Sequence, residues 1–217
     1  MARLKVAVLI SGRGSNLQAL IDACADADFP AEIVLVISDV PGVQGLSRAD
    51  EAGIPTAVVE RKDFEDRESF EDALTGTLAG AAPELVCLAG FMRVLGDGFV
   101  GRWRGRLINI HPSLLPAFKG VHVHEQIVEA GVRISGCTVH FVRPAVDDGP
   151  IIVQAAVPVH PDDDADALAA RVLSQEHRIY PLAVRLIAEG RVRVVHEHVL
   201  IDGAVIPDGV LMNPGDG

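Results

Sequence analysis

The sequence predicts an α/β protein built on an open, twisted, mostly parallel but mixed sheet with helices on both faces. Three observations carry that reading. Apolar runs of strand length alternate with stretches whose apolar residues recur at helical spacing, the order that lays strands side by side and covers them with helices. Residues 4–10 are apolar except for Lys5, as in a strand buried on both faces. Two later runs, 137–141 and 151–159, are joined by a short turn, so they pair antiparallel and make the sheet mixed. Strand, glycine loop and helix in succession make the N-terminal half Rossmann-like.

In order, the first strand runs into Ser11-Gly12-Arg13-Gly14-Ser15-Asn16, after which Leu17, Leu20, Ile21 and Cys24 mark one face of a helix. A second strand covers residues 33–37. A helix at 43–52 stops at Gly53, a residue suited to a C-cap, and a short third strand covers 56–59. Residues 64–78 read as a helix with Asp66, Arg67 and Glu68 in its first turn. Acidic residues suit the helix dipole there and Arg67 does not, so Arg67 is either placed for a ligand or simply solvated.

A fourth strand, 84–88, leaves through Ala89-Gly90-Phe91-Met92-Arg93-Val94-Leu95, which either lines a flat heteroaromatic ligand with its backbone or covers the core. A short helix at 99–103 precedes a fifth strand at 106–110. Past Pro116 comes a helix at 122–130, stopped by Gly131, and then the antiparallel pair around Val146-Asp147-Asp148-Gly149-Pro150. A long helix over 165–189 follows an acidic run and is kinked or restarted at Tyr180-Pro181. The chain closes with a hairpin, 192–200 and 204–206, turning at Asp202-Gly203, and a frayed end. With no repeat and no linker, residues 1–217 are expected to form a single domain. Its parallel βα half (1–110) would bind phosphate, and its second half (111–217) would carry the catalytic residues and the hairpin.

Composition narrows the function. The chain has 217 residues, 49% apolar but only 4% aromatic, so aliphatic side chains must fill the core. A formal charge of -11 argues against a nucleic-acid surface, which needs Lys and Arg, but leaves room for one small anion held by backbone amides. Cys24, Cys87 and Cys137 form no CxxC pair and read as buried thiols of a reducing compartment. No signal-peptide pattern and no bilayer-length apolar run are present. The expectation is a cytoplasmic protein, monomer or homodimer, with small-molecule substrates and neither nucleic-acid nor membrane partners.

Two stretches carry chemistry. The glycine loop between strand and helix makes a cradle of backbone amides suited to phosphate, with Ser15 or Asn16 free to cap the helix or donate. It lacks the third glycine of a dinucleotide fingerprint and the Gly-Lys-Ser/Thr of a P-loop. The second stretch is Asn109-Ile110-His111-Pro112-Ser113-Leu114-Leu115-Pro116 at the end of the fifth strand. Alternation puts Asn109 and His111 on one face, an amide beside a titratable ring, which suits a polarised carbonyl. Taken alone it also fits a strand end with a capped turn. The glycine loop, the 91–95 segment and this pair all fall at C-terminal strand ends, where open α/β sheets bind ligands.

These motifs, with Gly136 to Val142, Asp147-Asp148-Gly149-Pro150 and Gln175-Glu176-His177, resemble the folate-dependent formyltransferases. Ser-Gly-x-Gly-Ser-Asn narrows the resemblance to the glycinamide ribonucleotide (GAR) transformylases. The resemblance implies the formyltransferase fold and formyl transfer from 10-formyltetrahydrofolate, as co-substrate and without a metal, to the amine of GAR in purine synthesis. It implies Asn109, His111 and Asp147 as the catalytic set, and Gly14, Ser15, Asn16 and Glu176 as contacts to GAR. On the folate side it implies Arg67, Met92, Arg93, Val94, Leu95, Asn109, His140 and Val142. Two positions depart from the family pattern: Lys119 where a proline is expected, and Leu173 where a polar or basic residue is expected.

In that chemistry Asn109 and a protonated His111 would steady the oxyanion of a tetrahedral intermediate, with Asp147 favouring the charged ring. Other readings compete. His111, His122, His124 and His140 with Asp147 invite a metal site, although His122 and His124 point apart on a helix. The glycine loop alone would also suit a dinucleotide-dependent redox protein. A formyltetrahydrofolate hydrolase would use a similar Asn, His and Asp on water, with an added N-terminal domain. A methionyl-tRNA formyltransferase would call for an added C-terminal domain and a basic surface.

Overall fold

The computed structural model describes residues 2–205, 208–209 and 211–214. A seven-stranded sheet has the order β3-β2-β1-β4-β5-β6-β7. Its strands are β1 (Leu4–Ile10), β2 (Ala31–Ser38), β3 (Thr56–Val58), β4 (Leu85–Leu88), β5 (Leu107–His111), β6 (Ile134–Phe141) and β7 (Ile151–Pro158). The first five run parallel; β6 is antiparallel to both β5 and β7. The expected mixed sheet is therefore present. Strand order reverses between β1 and β4, which opens a crevice beyond their C-terminal ends.

Helices α1 (Ser15–Ala25), α2 (Gln44–Glu51), α3 (Arg67–Ala81), α4 (Asp97–Arg102), α5 (Val123–Ala130) and α6 (Ala165–Ala188) cover the sheet. Two apolar clusters lie on its two faces. One joins Val6, Val8 and Ile10 to α1, α5 and α6. The other joins Ala7 and Leu9 to Phe70, Leu74 and Leu78 of α3 and to Trp103. Alternate β1 residues supply the two clusters, which is why that strand reads as apolar throughout. Inside the first cluster the buried Tyr180 hydroxyl donates to the Leu88 carbonyl at 2.8 Å, tying α6 to the end of β4.

Several boundaries differ from expectation. The 64–78 helix begins later: Asp66 is the N-cap, its carboxylate accepting the Ser69 N–H at 2.8 Å, and Arg67 is the first helical residue. The long helix runs through Pro181 as one element, so no restart occurs there. The terminal hairpin is real but shorter: β8 (Val192–Val195) pairs with β9 (His198–Ile201). Its turn is His196-Glu197, both at positive φ (48° and 59°) as a two-residue hairpin turn requires, and not Asp202-Gly203. Of the expected last strand, Ile206 lies outside the described residues, as do 215–217 of the expected frayed end. Among the described residues no helix is long and apolar enough to cross a membrane.

Candidate active site

The glycine loop takes its shape from α2. The Gly45 N–H donates to the Gly12 carbonyl at 3.1 Å, and Arg48 Nε to the Arg13 carbonyl at 3.0 Å. A Cβ on Gly45 would fall 2.4 Å from Ile10 Cδ1 and 3.0 Å from the Gly12 carbonyl, and one on Gly14 would fall 2.7 Å from Gly45 Cα. Two backbones are therefore in direct contact here, and only glycine on both sides permits it. Gly14 caps α1 at φ 69° with no side-chain cap, which leaves the first N–H groups of α1 without a side-chain acceptor. Beside them a cleft of about 330 Å³ is lined by Ser15, Gln18, Ala19, Asp22, Arg48 and His177.

Asn16 does not point into free space. Its side-chain N–H donates to Glu176 Oε2 at 2.7 Å, and its own Oδ1 has no partner. Burial raises the Glu176 pKa above its ordinary value. The Asn16 hydrogen bond and the charge of His111 pull it partly back, so α6 brings the glycine-loop wall and the β5 wall within electrostatic reach of each other.

On the β5 wall, His111 is buried, and its two ring nitrogens face two oxygens. Nε2 lies 2.8 Å from the Phe118 carbonyl, and Nδ1 lies 3.4 Å from Asp147 Oδ2. Both oxygens can only accept; the Nε2 contact has hydrogen-bond geometry, and the Nδ1 contact is at ion-pair distance. Asp147 sits at φ 50° in the turn after β6, and Oδ2 also accepts the Gly120 N–H at 2.9 Å. That turn presses onto β6 because residue 149 is glycine; a Cβ there would lie 1.6 Å from the Phe141 carbonyl.

Asn109 pairs across the ladder with His140. His140 Nδ1 faces the Phe141 carbonyl at 3.0 Å and so carries the proton. Its Nε2 then accepts from the Asn109 amide at 3.4 Å. Burial pushes the His140 pKa down, which keeps the ring neutral and suited to accept. The bond fixes the Asn109 amide and leaves its second N–H free. With 2% exposure, His140 meets Asn109 and Asp147 (3.7 Å).

The remaining expected residues fall beyond β4 and at its margins. Met92 and Val94 are exposed, Leu95 is buried, and Val142 is half-buried beside the start of β5, donating to the Leu107 carbonyl at 2.9 Å. Arg67 packs where a Gly96 side chain would stand, 3.7 Å from Glu71, whose carboxylate accepts the Gly96 N–H at 2.6 Å. The α3 N-terminus thereby buttresses the 92–95 segment. His122, the exposed N-cap of α5, lies 3.6 Å from Glu125. His124 is half-buried, its pKa lowered by burial. Among the described residues no group of three or more His, Cys, Asp or Glu could hold a metal ion.

Sequence reasoning passed over Asp39, Gly45 and Arg48. The signal for Gly45 and Arg48 was faint, one glycine and one arginine in a short amphipathic helix. Asp39 sat in Ser38-Asp39-Val40-Pro41-Gly42, which reads as an ordinary turn.

A mostly parallel α/β sheet that gathers an amide, an imidazole and a carboxylate holds the kinds of group that polarise a carbonyl. Comparison with known proteins makes that specific. A family model described as formyl transferase matches residues 4–184. Phosphoribosylglycinamide formyltransferase of Haemophilus influenzae is 44% identical over 203 residues, covering 94% of this chain and 96% of that protein. The trifunctional purine biosynthetic protein adenosine-3 of Drosophila melanogaster is 57% identical over 190 residues, 87% of this chain but only 14% of that longer protein. The crystal structure of glycinamide ribonucleotide transformylase 1 from Symbiobacterium toebii superposes with a TM-score of 0.90 at 45% identity, covering 92% of this chain and 94% of that one. Formyltetrahydrofolate deformylase from Burkholderia mallei superposes with a TM-score of 0.83 at 29% identity, covering 92% of this chain and 70% of that one. The chain belongs to the formyl transferase family, an enzyme family.

Proposed function

We propose that residues 1–217 act as one unit that transfers the formyl group of 10-formyltetrahydrofolate to the amine of GAR, giving formyl-GAR and tetrahydrofolate in purine synthesis. The observation that carries this is the pairing of His111, with an acceptor on each ring nitrogen. The Phe118 carbonyl, 2.8 Å from Nε2, stands where an oxyanion would sit, inside the range for a donor to a developing negative oxygen. Substrate oxygen takes its place, and the 117–120 loop yields.

The amine lone pair attacks the formyl carbon, and the carbonyl oxygen becomes the oxyanion. His111 Nε2–H and the second N–H of Asn109 donate to it, while His140 holds Asn109 and Asp147 holds His111. The bond from formyl carbon to the folate nitrogen then breaks. That nitrogen gains a proton and the incoming amine loses one, with Asp147 passing it directly or through water. The amine is already a nucleophile, so no covalent enzyme intermediate is needed.

The glycine loop, through Gly14, Ser15 and Asn16, holds the GAR phosphate, and Glu176 reads the ribose side. The folate lies along Met92, Arg93, Val94 and Leu95, between Asn109, His140 and Val142, with Arg67 on its acidic tail. Leu173 supplies no polar group at its position, and Arg48 and His177 line the neighbouring cleft.

The alternative is hydrolysis of the formyl group, favoured by the likeness to the deformylase. A spectroscopic assay of folate deformylation with and without GAR separates the two. Turnover that requires GAR and yields formyl-GAR supports the transferase. Equal turnover without it makes the protein a hydrolase.

A further inference from the structure

The most deeply set acid at the crevice is Asp39, 3% exposed, one residue past the end of β2. Its two carboxylate oxygens serve two different segments. Oδ1 accepts the Ser11 hydroxyl at 2.5 Å, and Oδ2 accepts Arg93 Nε at 2.5 Å. Ser11 in turn accepts the Met92 N–H at 2.8 Å on the same hydroxyl oxygen. The backbone fixes this arrangement: the Asp39 N–H reaches the Ile10 carbonyl at 3.4 Å, and the Ser11 N–H reaches the Gly90 carbonyl at 3.1 Å. Asp39, Ser11 and the 90–93 segment thus extend β2, β1 and β4, the three neighbouring strands at the point where strand order reverses.

We infer that Asp39 is a positioning residue shared by both substrate walls, coupling the glycine loop to the 92–95 segment; this rests on the proposed assignment of those segments to GAR and folate. An ionised acceptor draws the Ser11 hydroxyl proton, and a polarised hydroxyl is a better acceptor for the Met92 N–H. The same group fixes the Arg93 side chain, which otherwise has many rotamers to lose when ligand binds. Only a carboxylate offers an acceptor to both partners at once. An asparagine has one oxygen, and its NH2 would confront either the Ser11 hydroxyl proton or the guanidinium. Met92 and Val94 are exposed and have little packing of their own, so their placement depends on this anchor.

The test compares Asp39→Asn with Asp163→Asn in the full chain. Asp163 is a half-buried aspartate that forks onto Arg171 at 2.5 and 2.7 Å at the start of α6 and belongs to neither wall. The first readout needs no ligand. Amide hydrogen exchange at Met92 quickens in Asp39→Asn by about tenfold or more and is unchanged in Asp163→Asn. The second readout is kinetic: in Asp39→Asn both KM values rise by about tenfold while kcat stays within about threefold. Unchanged exchange at Met92 overturns the inference whatever the substrates prove to be. So does a variant that loses thermal stability like Asp163→Asn yet keeps both KM values. Absence of GAR-dependent turnover in the unsubstituted protein counts against the proposed function instead, and the exchange measurement still decides the role of Asp39.

Discussion

The two walls of the site are built by different means. The glycine-loop wall is a matter of backbone shape: Gly14 and Gly45 touch main chain to main chain, and the first N–H groups of α1 have no side-chain cap. The β5 wall is a matter of side-chain donors and acceptors, in which Asn109, His111, His140 and Asp147 hold one another in place. A backbone wall tolerates exchange of exposed side chains and fails when atoms are added. A side-chain wall tolerates changes of shape around it and fails when a single polar atom is removed.

The largest effect should come from the β5 wall. His111→Ala or Asn109→Ala should lower kcat by about a hundredfold or more, with KM for GAR nearly unchanged. Steady-state kinetics beside thermal unfolding checks this, and a matching loss of folding would erase the contrast between the walls. Next in size is the opposite kind of change. Gly45→Ala should raise KM for GAR by about tenfold or more and cost about 1–3 kcal/mol of stability, the usual penalty for forced atoms in a packed site. Normal GAR affinity in that variant would show that the main-chain contact does not shape the loop.

A third test joins the walls. Burial raises the pKa of Glu176 in the folded protein, so the folded state holds its proton more tightly than the unfolded chain does. Its contribution to stability is complete below the ordinary value of 4.5 and is lost as pH rises through the folded value. Glu176→Gln should therefore be more stable than the parent at pH 7–8, with the advantage gone near pH 4.5, and should bind GAR less well. Melting curves across that range decide it. The smallest effect belongs to Glu197, an exposed hairpin-turn acid shared by Arg104 at 2.8 Å and Arg143 at 2.6 Å. Glu197→Ala should leave turnover and Tm unchanged within error.

The same contrast explains what the sequence could disclose. Side-chain chemistry is written in residue names, so Asn109, His111 and Asp147 stood out, and alternation alone put the first two on one face. The sheet was equally legible, because a β1 that is apolar from Val6 to Ile10 allows few arrangements. Main-chain contacts leave weaker marks. Gly45 is one glycine in a helix, and nothing in its neighbours announces that Gly14 lies against it. The hairpin turn was misplaced because Asp-Gly is the stronger turn dipeptide, while His196 and Glu197 adopt left-handed backbone without the residues that favour it. Asp39 escaped notice because its two partners, Ser11 and Arg93, lie far from it in the chain, and only the strand order brings them to one place.

Lys119 and Asp148 form a salt bridge that joins the 117–120 loop to the turn bearing Asp147. The departure at position 119 is thus one half of an ion pair. Lys119→Pro, with Asp148 left in place, would leave two adjoining aspartates without this ion pair. Both side chains are exposed, so splitting the pair should disturb how the loop sits against Asp147 more than it lowers Tm.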